Sequence, residues 1–113
     1  MKRKNLGEFE EIVLLTVGVL YDNAYAVAIT QEISGQTKRD VNISAVHTAL
    51  YRLEEKGFLS SRMGEAVAIR GGKRKRLFTI TPFGKKALDG ADALRNSLRE
   101  RIPLNAFNWG TNT

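Results

Sequence analysis

Residues Asn42 to Gly57 read NISAVHTALYRLEEKG, and they constrain the fold more than any other stretch. Val46, Ala49, Leu50 and Leu53 recur at helical spacing and define one narrow apolar stripe that must pack inward. Ser44, Thr48, Tyr51, Arg52 and Glu55 fall on the opposite face, Ala45 points outward between Ser44 and Thr48, and His47 sits at the boundary. Asn42 is suited to cap this helix at its start, and Gly57 to close it in a left-handed conformation. Such a helix buries one edge and leaves a surface of small polar groups free.

The pattern then changes to strands. Phe58 to Met63 and Leu77 to Thr81 read as a pair, the second alternating Leu77, Thr79 and Thr81 against Phe78 and Ile80. The loop between them holds AIRGGKRKR from Ala68 to Arg76, which places Arg70, Lys73, Arg74, Lys75 and Arg76 within seven positions. Gly64, Gly71 and Gly72 predict a mobile tip for it.

Upstream, Leu6 to Tyr21 repeats apolar residues at Leu6, Phe9, Ile12, Val13, Val17 and Leu20, which predicts the central core helix, broken by Asp22-Asn23. A second helix is predicted from Ala24 to Ser34, stopped by Gly35, with a polar turn over Gln36 to Asp40 that carries Lys38 and Arg39. Thr81-Pro82 announces a last helix, since proline fits a first turn where its missing N–H costs nothing. From Phe83 that helix runs about five turns, with the stripe Ala87, Leu88, Ala91, Leu94, Leu98 and Ile102, and ends before Pro103. Leu104 to Thr113, rich in Asn, Gly and Thr, reads as a frayed tail.

A chain of 113 residues makes one small domain, burying roughly 60–70% of its unfolded surface. Its net charge of +6 is unevenly spread. Lys56 to Lys86 holds nine basic residues against Glu65 alone, whereas the rest of the chain holds nine basic and eleven acidic residues. A surplus confined to one segment points to a polyanion-facing surface. Without cysteine there are no disulfides or thiolate-held metals, and one histidine without clustered carboxylates argues against a protein-built metal centre. There is no Ser–His–Asp set, and Gly71-Gly72 precedes no strand-to-helix turn that would cradle a phosphate, so neither an enzyme nor a cofactor is expected. Lys2, Arg3 and Lys4 before an apolar run, with Ala24-Tyr25-Ala26 beyond it, imitate an export signal. Glu8, Glu10 and Glu11 interrupt that pattern, and the run is too short to span a bilayer, so a cytoplasmic chain without membrane association is expected.

Helix, helix, turn, helix, strand, loop, strand, long helix is the order of a winged helix-turn-helix. The expected class is α+β, mainly α: a domain over residues 6–81 with a two-stranded wing, a dimerisation helix over 82–102, and a flexible tail over 103–113. LGEFEEIVLLTVGVL, AYAVAITQEI, ALYRLEEKGFLSSRMGE and RGGKRKRLFTITPFGKKAL resemble the PadR-like transcription regulators, in the compact branch with one C-terminal helix. The resemblance spans about Leu6 to Ile102, and RLEEKG and the T-x-x-G of Thr81 to Gly84 are its most specific pieces. It implies a homodimer on a near-palindromic DNA operator, usually a repressor released by a small-molecule effector or other signal. The chain departs from the family pattern at His47, where tyrosine contacts phosphate, and at Ala26 and Ser44, where glycine is frequent.

Candidate contacts to double-stranded DNA follow, each beside a plainer reading. Ser44, Ala45 and Thr48 are suited to base edges and a thymine methyl, or else serve helix propensity and solubility. Asn42, His47 and Arg52 join them as polar contacts. Arg52 touches a phosphate or pairs with a nearby Glu, and His47 contacts phosphate or is a structural histidine. Lys38 and Arg39 approach phosphates from the preceding turn. In the wing, Arg70, Lys73, Arg74, Lys75 and Arg76 face phosphates or the minor groove, or form a solvated face, and strand alternation separates Lys75 from Arg74 and Arg76. Leu88, Ala91, Leu94, Leu98 and Ile102 seek a second chain, or fold back on their own domain. Trp109 stacks on a planar effector, or else is unstructured or closes a small hydrophobic contact. The rival function is a winged-helix module for protein or RNA contact without operator specificity.

Overall fold

The computed structural model describes residues 5–38, 40–65 and 74–107. Helix α1 spans Glu8–Leu20, α2 Ala26–Thr37, α3 Ile43–Glu55 and α4 Pro82–Glu100, with strands β1 Leu59–Met63 and β2 Arg76–Ile80 between α3 and α4. Short 3-10 turns occupy Tyr21–Asn23 and Leu104–Ala106. The expected helical class with a two-stranded antiparallel sheet is the class observed, and the arrangement is a winged helix.

Helix α1 is the central helix. Val13, Leu14 and Val17 are buried, and Thr16 is buried with its hydroxyl donating to the Ile12 carbonyl at 2.7 Å. Three acids in its first turn complement the helix dipole, and Glu10 accepts from the Gly7 N–H at 3.1 Å. Against α1 pack Ile29 and Ile33 of α2, the α3 stripe of Val46, Ala49, Leu50 and Leu53, and Phe58, Leu59 and Phe78 around the hairpin.

The expected stop at Gly35 is corrected: α2 runs through it to Thr37 and ends at Lys38, whose φ of 54° is left-handed. A glycine inside a helix costs only about 1 kcal/mol. Ile33, fully buried, anchors the last turns, and the Thr37 hydroxyl donates to its carbonyl. Helix α3 has the expected ends. Asn42 accepts from the Ser44 N–H at 2.6 Å. Gly57, with φ of 85°, donates to Glu54, and Phe58 donates to Leu53, which completes a Schellman closure.

Strands β1 and β2 pair from Leu59↔Ile80 to Met63↔Arg76. The other edge of β2 is tied to the start of α2, because the Phe78 N–H donates to the Ala24 carbonyl at 2.9 Å. Thr81 joins β2 to α4 directly: its hydroxyl donates to Gly57 O at 2.7 Å and accepts from Gly84 N–H at 3.0 Å. Gly84 touches the backbone of Phe58 so closely that an added Cβ would lie 2.2 Å from the Phe58 carbonyl oxygen. The T-x-x-G signature is therefore a packing joint. Helix α4 rests on the core through Ala87 and Leu88, and from Asp92 to Phe107 every residue is exposed. That extension stretches the molecule to 65 × 35 × 21 Å.

Candidate nucleic-acid interface

With its apolar stripe turned into the core, α3 exposes Ser44, Ala45, His47, Thr48, Tyr51 and Arg52. The Ser44 hydroxyl makes no hydrogen bond among the described residues, whereas the Thr48 hydroxyl donates back to the Ser44 carbonyl at 3.0 Å and keeps its acceptor lone pairs outward. Asn42 uses its carboxamide oxygen for the cap, which leaves its NH₂ to face solvent.

Ala45, Thr48 and Arg52 line one wall of an open groove whose other wall is the first turn of α1, from Gly7 to Glu10. The negative charge of that wall is partly balanced. Lys56 donates to Glu10 at 2.7 Å and to the Asn5 carbonyl at 2.6 Å. Burial raises the pKa of the Glu10 carboxyl, but the hydrogen bonds from Lys56 and the Gly7 N–H, with the charges of Lys56 and Arg52, outweigh it and hold the group below its ordinary value. Lys56 thus secures the end of α3 to α1, and Arg52 remains an exposed cation above the groove.

On the other side of α3, His47 shares a groove with Tyr25, Val27, Lys75, Arg76 and Phe78. The Lys75 ammonium lies 3.9 Å from the centre of the Tyr25 ring, a cation–π distance. Arg76 donates to Ser61 Oγ at 3.0 Å, and Ser61 in turn donates to Glu54 at 2.7 Å. Arg74 donates through Nε to the Gly64 carbonyl at 2.9 Å, where Gly64 N–H also meets Lys75 O. The three cations at the base of the wing thus take separate directions, and Lys75 turns toward α2 and α3. Lys38 is exposed at the left-handed end of α2. Arg39, Arg70 and Lys73 lie outside the described residues, as do most of the wing loop and Trp109.

Of the expected interface stripe on α4, Leu88 and Ala91 are half-buried, with Leu88 packed on its own core, while Leu94 is 61% exposed, Leu98 49% and Ile102 40%. Sequence reasoning missed Tyr25, which follows the break after α1 and whose only signal was an aromatic residue at a helix start. It also missed the ion pair between Glu11 of α1 and Arg95 of α4, at 2.6 Å. Among the described residues no cluster of His, Asp or Glu could hold a metal ion, and no helix is long and apolar enough to cross a membrane.

These features agree with known proteins. The structure is similar to a PadR-like transcription factor from Bacteroides fragilis, with 24% identity, a TM-score of 0.66, and coverage of 81% of this chain and 84% of that one. A PadR family transcription regulator from Clostridium difficile is 23% identical with a TM-score of 0.62, over 79% of this chain and 91% of that one. Bacillus subtilis PadR, solved in complex with operator DNA, is 19% identical with a TM-score of 0.59, over 86% of this chain and 50% of that one. No curated protein sequence matches. The sequence model described as the transcriptional regulator PadR-like family matches residues 13–90, well over half of the chain. The chain belongs to the PadR-like family of transcriptional regulators.

Proposed function

We propose that this protein is a sequence-specific DNA-binding regulator, a cytoplasmic homodimer that represses from a near-palindromic operator and is released by an effector or other signal. The carrying observation is the free face of α3: Ser44, Ala45, His47, Thr48 and Arg52 are all exposed, and Lys75 and Arg76 share a groove with His47. In this reading α3 enters a major groove, Ser44, Ala45 and Thr48 meet base edges, and Asn42, His47, Arg52, Lys38 and Arg39 steady it. The wing, with Arg70, Lys73, Arg74, Lys75 and Arg76, follows the neighbouring backbone. Ala91, Leu94, Leu98 and Ile102, continuing from Leu88, meet the same stripe of a second chain. The operator complex of the Bacillus subtilis relative supports the reading.

The test is selection of the purified protein against a random duplex library at about 0.15 M salt, with mass measured on the same sample. An enriched inverted repeat, bound by a species of twice 12.6 kDa and preferred about 10³-fold or more over random duplex, is the expected result. No enriched sequence, with binding that vanishes as salt rises, would leave a basic winged-helix surface for protein or RNA.

A further inference from the structure

We infer that Tyr25, His47 and Lys75 form one seat for a DNA backbone phosphate, and that Tyr25 is the positioning residue that holds Lys75 in it. The inference deepens the DNA-binding reading above and rests on it.

Three chain segments converge here. His47 is contributed by α3, Lys75 by the residue preceding β2, and Tyr25 by the residue preceding α2. They line a common groove of about 310 Å³, with Ala26 and Val27 forming its wall at the start of α2. His47 and Lys75 are both exposed, so both can reach a ligand from outside. Among the described residues the groove is lined by no carboxylate, and its polar lining is supplied by a lysine, an arginine, a histidine and a tyrosine, which suits an anion. Arg76 has one nitrogen on Ser61 and adds charge at the rim.

A free lysine side chain carries about 2 kcal/mol of rotamer entropy, so a fixed ammonium binds better than a roaming one. Tyr25 supplies the fixing. Its ring faces the Lys75 ammonium at 3.9 Å, and the backbone next to it is pinned to β2 by the Phe78–Ala24 hydrogen bond. An ammonium on an aromatic face keeps the protons directed away from the ring available to donate. His47 can donate a ring N–H into the same groove. A phosphodiester, singly charged and rich in acceptors, has the chemistry that this set recognises.

The probes are labelled duplexes of the selected operator and of random sequence, titrated against the dimer across a range of salt. Lys75→Ala, which removes one lysine from each protomer, should weaken both duplexes and flatten the salt dependence by about two units of log–log slope. Tyr25→Leu should weaken both about two- to fivefold, whereas Tyr25→Phe, which keeps the ring, should stay near wild type. Tyr25→Leu added to Lys75→Ala should cause no further loss, and unchanged melting temperatures would show that the fold is intact. A Lys75→Ala variant that binds like wild type, or a Tyr25→Leu loss that persists undiminished without Lys75, overturns the inference and leaves the regulator reading standing. A wild-type protein that binds neither duplex at low salt overturns both.

Discussion

Both terminal guanidinium nitrogens of Arg95, in the second half of α4, donate to the two carboxylate oxygens of Glu11 in the first turn of α1. The preceding residue, Glu10, is held by Lys56 at the end of α3. Consecutive acids on the central helix thus secure the element proposed to read DNA and the element proposed to pair protomers. The hydrogen bond from Arg95 lowers the pKa of the Glu11 carboxyl, and its charge adds to the effect, against a smaller opposing contribution from burial. A carboxylate depressed in this way stabilises the fold above its unfolded pKa, and the contribution is lost as pH falls through the lower folded value. In urea denaturation at pH 7, Glu11→Gln and Arg95→Gln should each lower the midpoint, and the double variant should fall no further. The difference between wild type and Glu11→Gln should fade toward pH 3. Additive losses at pH 7 would mean the pair contributes nothing.

Gly84 has no room for a side chain. Gly84→Ala should cost about 2–3 kcal/mol, because the displaced atom is the backbone oxygen of Phe58 rather than a flexible tip. Thr81→Ala, which removes the cap, should cost about 1 kcal/mol. Equal, small losses at both sites in denaturant titration would contradict the joint.

Lys38 holds a backbone conformation that glycine adopts freely. Lys38→Gly should therefore raise stability by up to about 1 kcal/mol while weakening duplex binding, since the cation is gone. A variant that is both less stable and equally tight on DNA would remove Lys38 from the proposed contacts.

Leu98 stands half exposed on a helix with little below it. Leu98→Asp should shift the measured mass from twice 12.6 kDa toward 12.6 kDa and reduce operator affinity at least tenfold, with the helical circular dichroism of the domain retained. A dimer that tolerates aspartate there would place the interface elsewhere.

Within the proposed interface, positioning and reading should separate. Thr48→Ala should change which operator bases are preferred, at about 1–3 kcal/mol per altered base pair. Arg74→Ala with Arg76→Ala, four arginines across the proposed dimer, should weaken all duplexes alike and flatten the salt slope by up to about four units. An unaltered base preference in Thr48→Ala would assign the reading to other residues of α3.

The sequence made legible whatever local rules govern. Asn42, Gly57 and the four-residue stripe of α3 could be placed without the structure, because caps and helical periodicity act within a few residues. Gly35 misled, since its helix cost is about 1 kcal/mol and the burial of Ile33 outweighs it. The alternation separating Lys75 from its neighbours was readable, but its destination on Tyr25 was not, because the two lie fifty positions apart. The same holds for Glu11 and Arg95, and for the strand edge that Phe78 offers to Ala24. Contacts between distant segments are set by how whole elements dock, and one sequence carries no local trace of them.

The direct passage from β2 through Thr81 into α4 carries a mechanical consequence. With no linker between strand and helix, the wing base and the exposed helix act as one lever. A helix of 19 residues is about 28 Å long, so one degree of rotation at Thr81 displaces its far end by roughly half an ångström. Inserting a single residue before Pro82 would turn the Leu94–Leu98 stripe by about 100° about the helix axis. In the proposed dimer, the separation of the two wings would therefore depend on the angle and residue count at this corner.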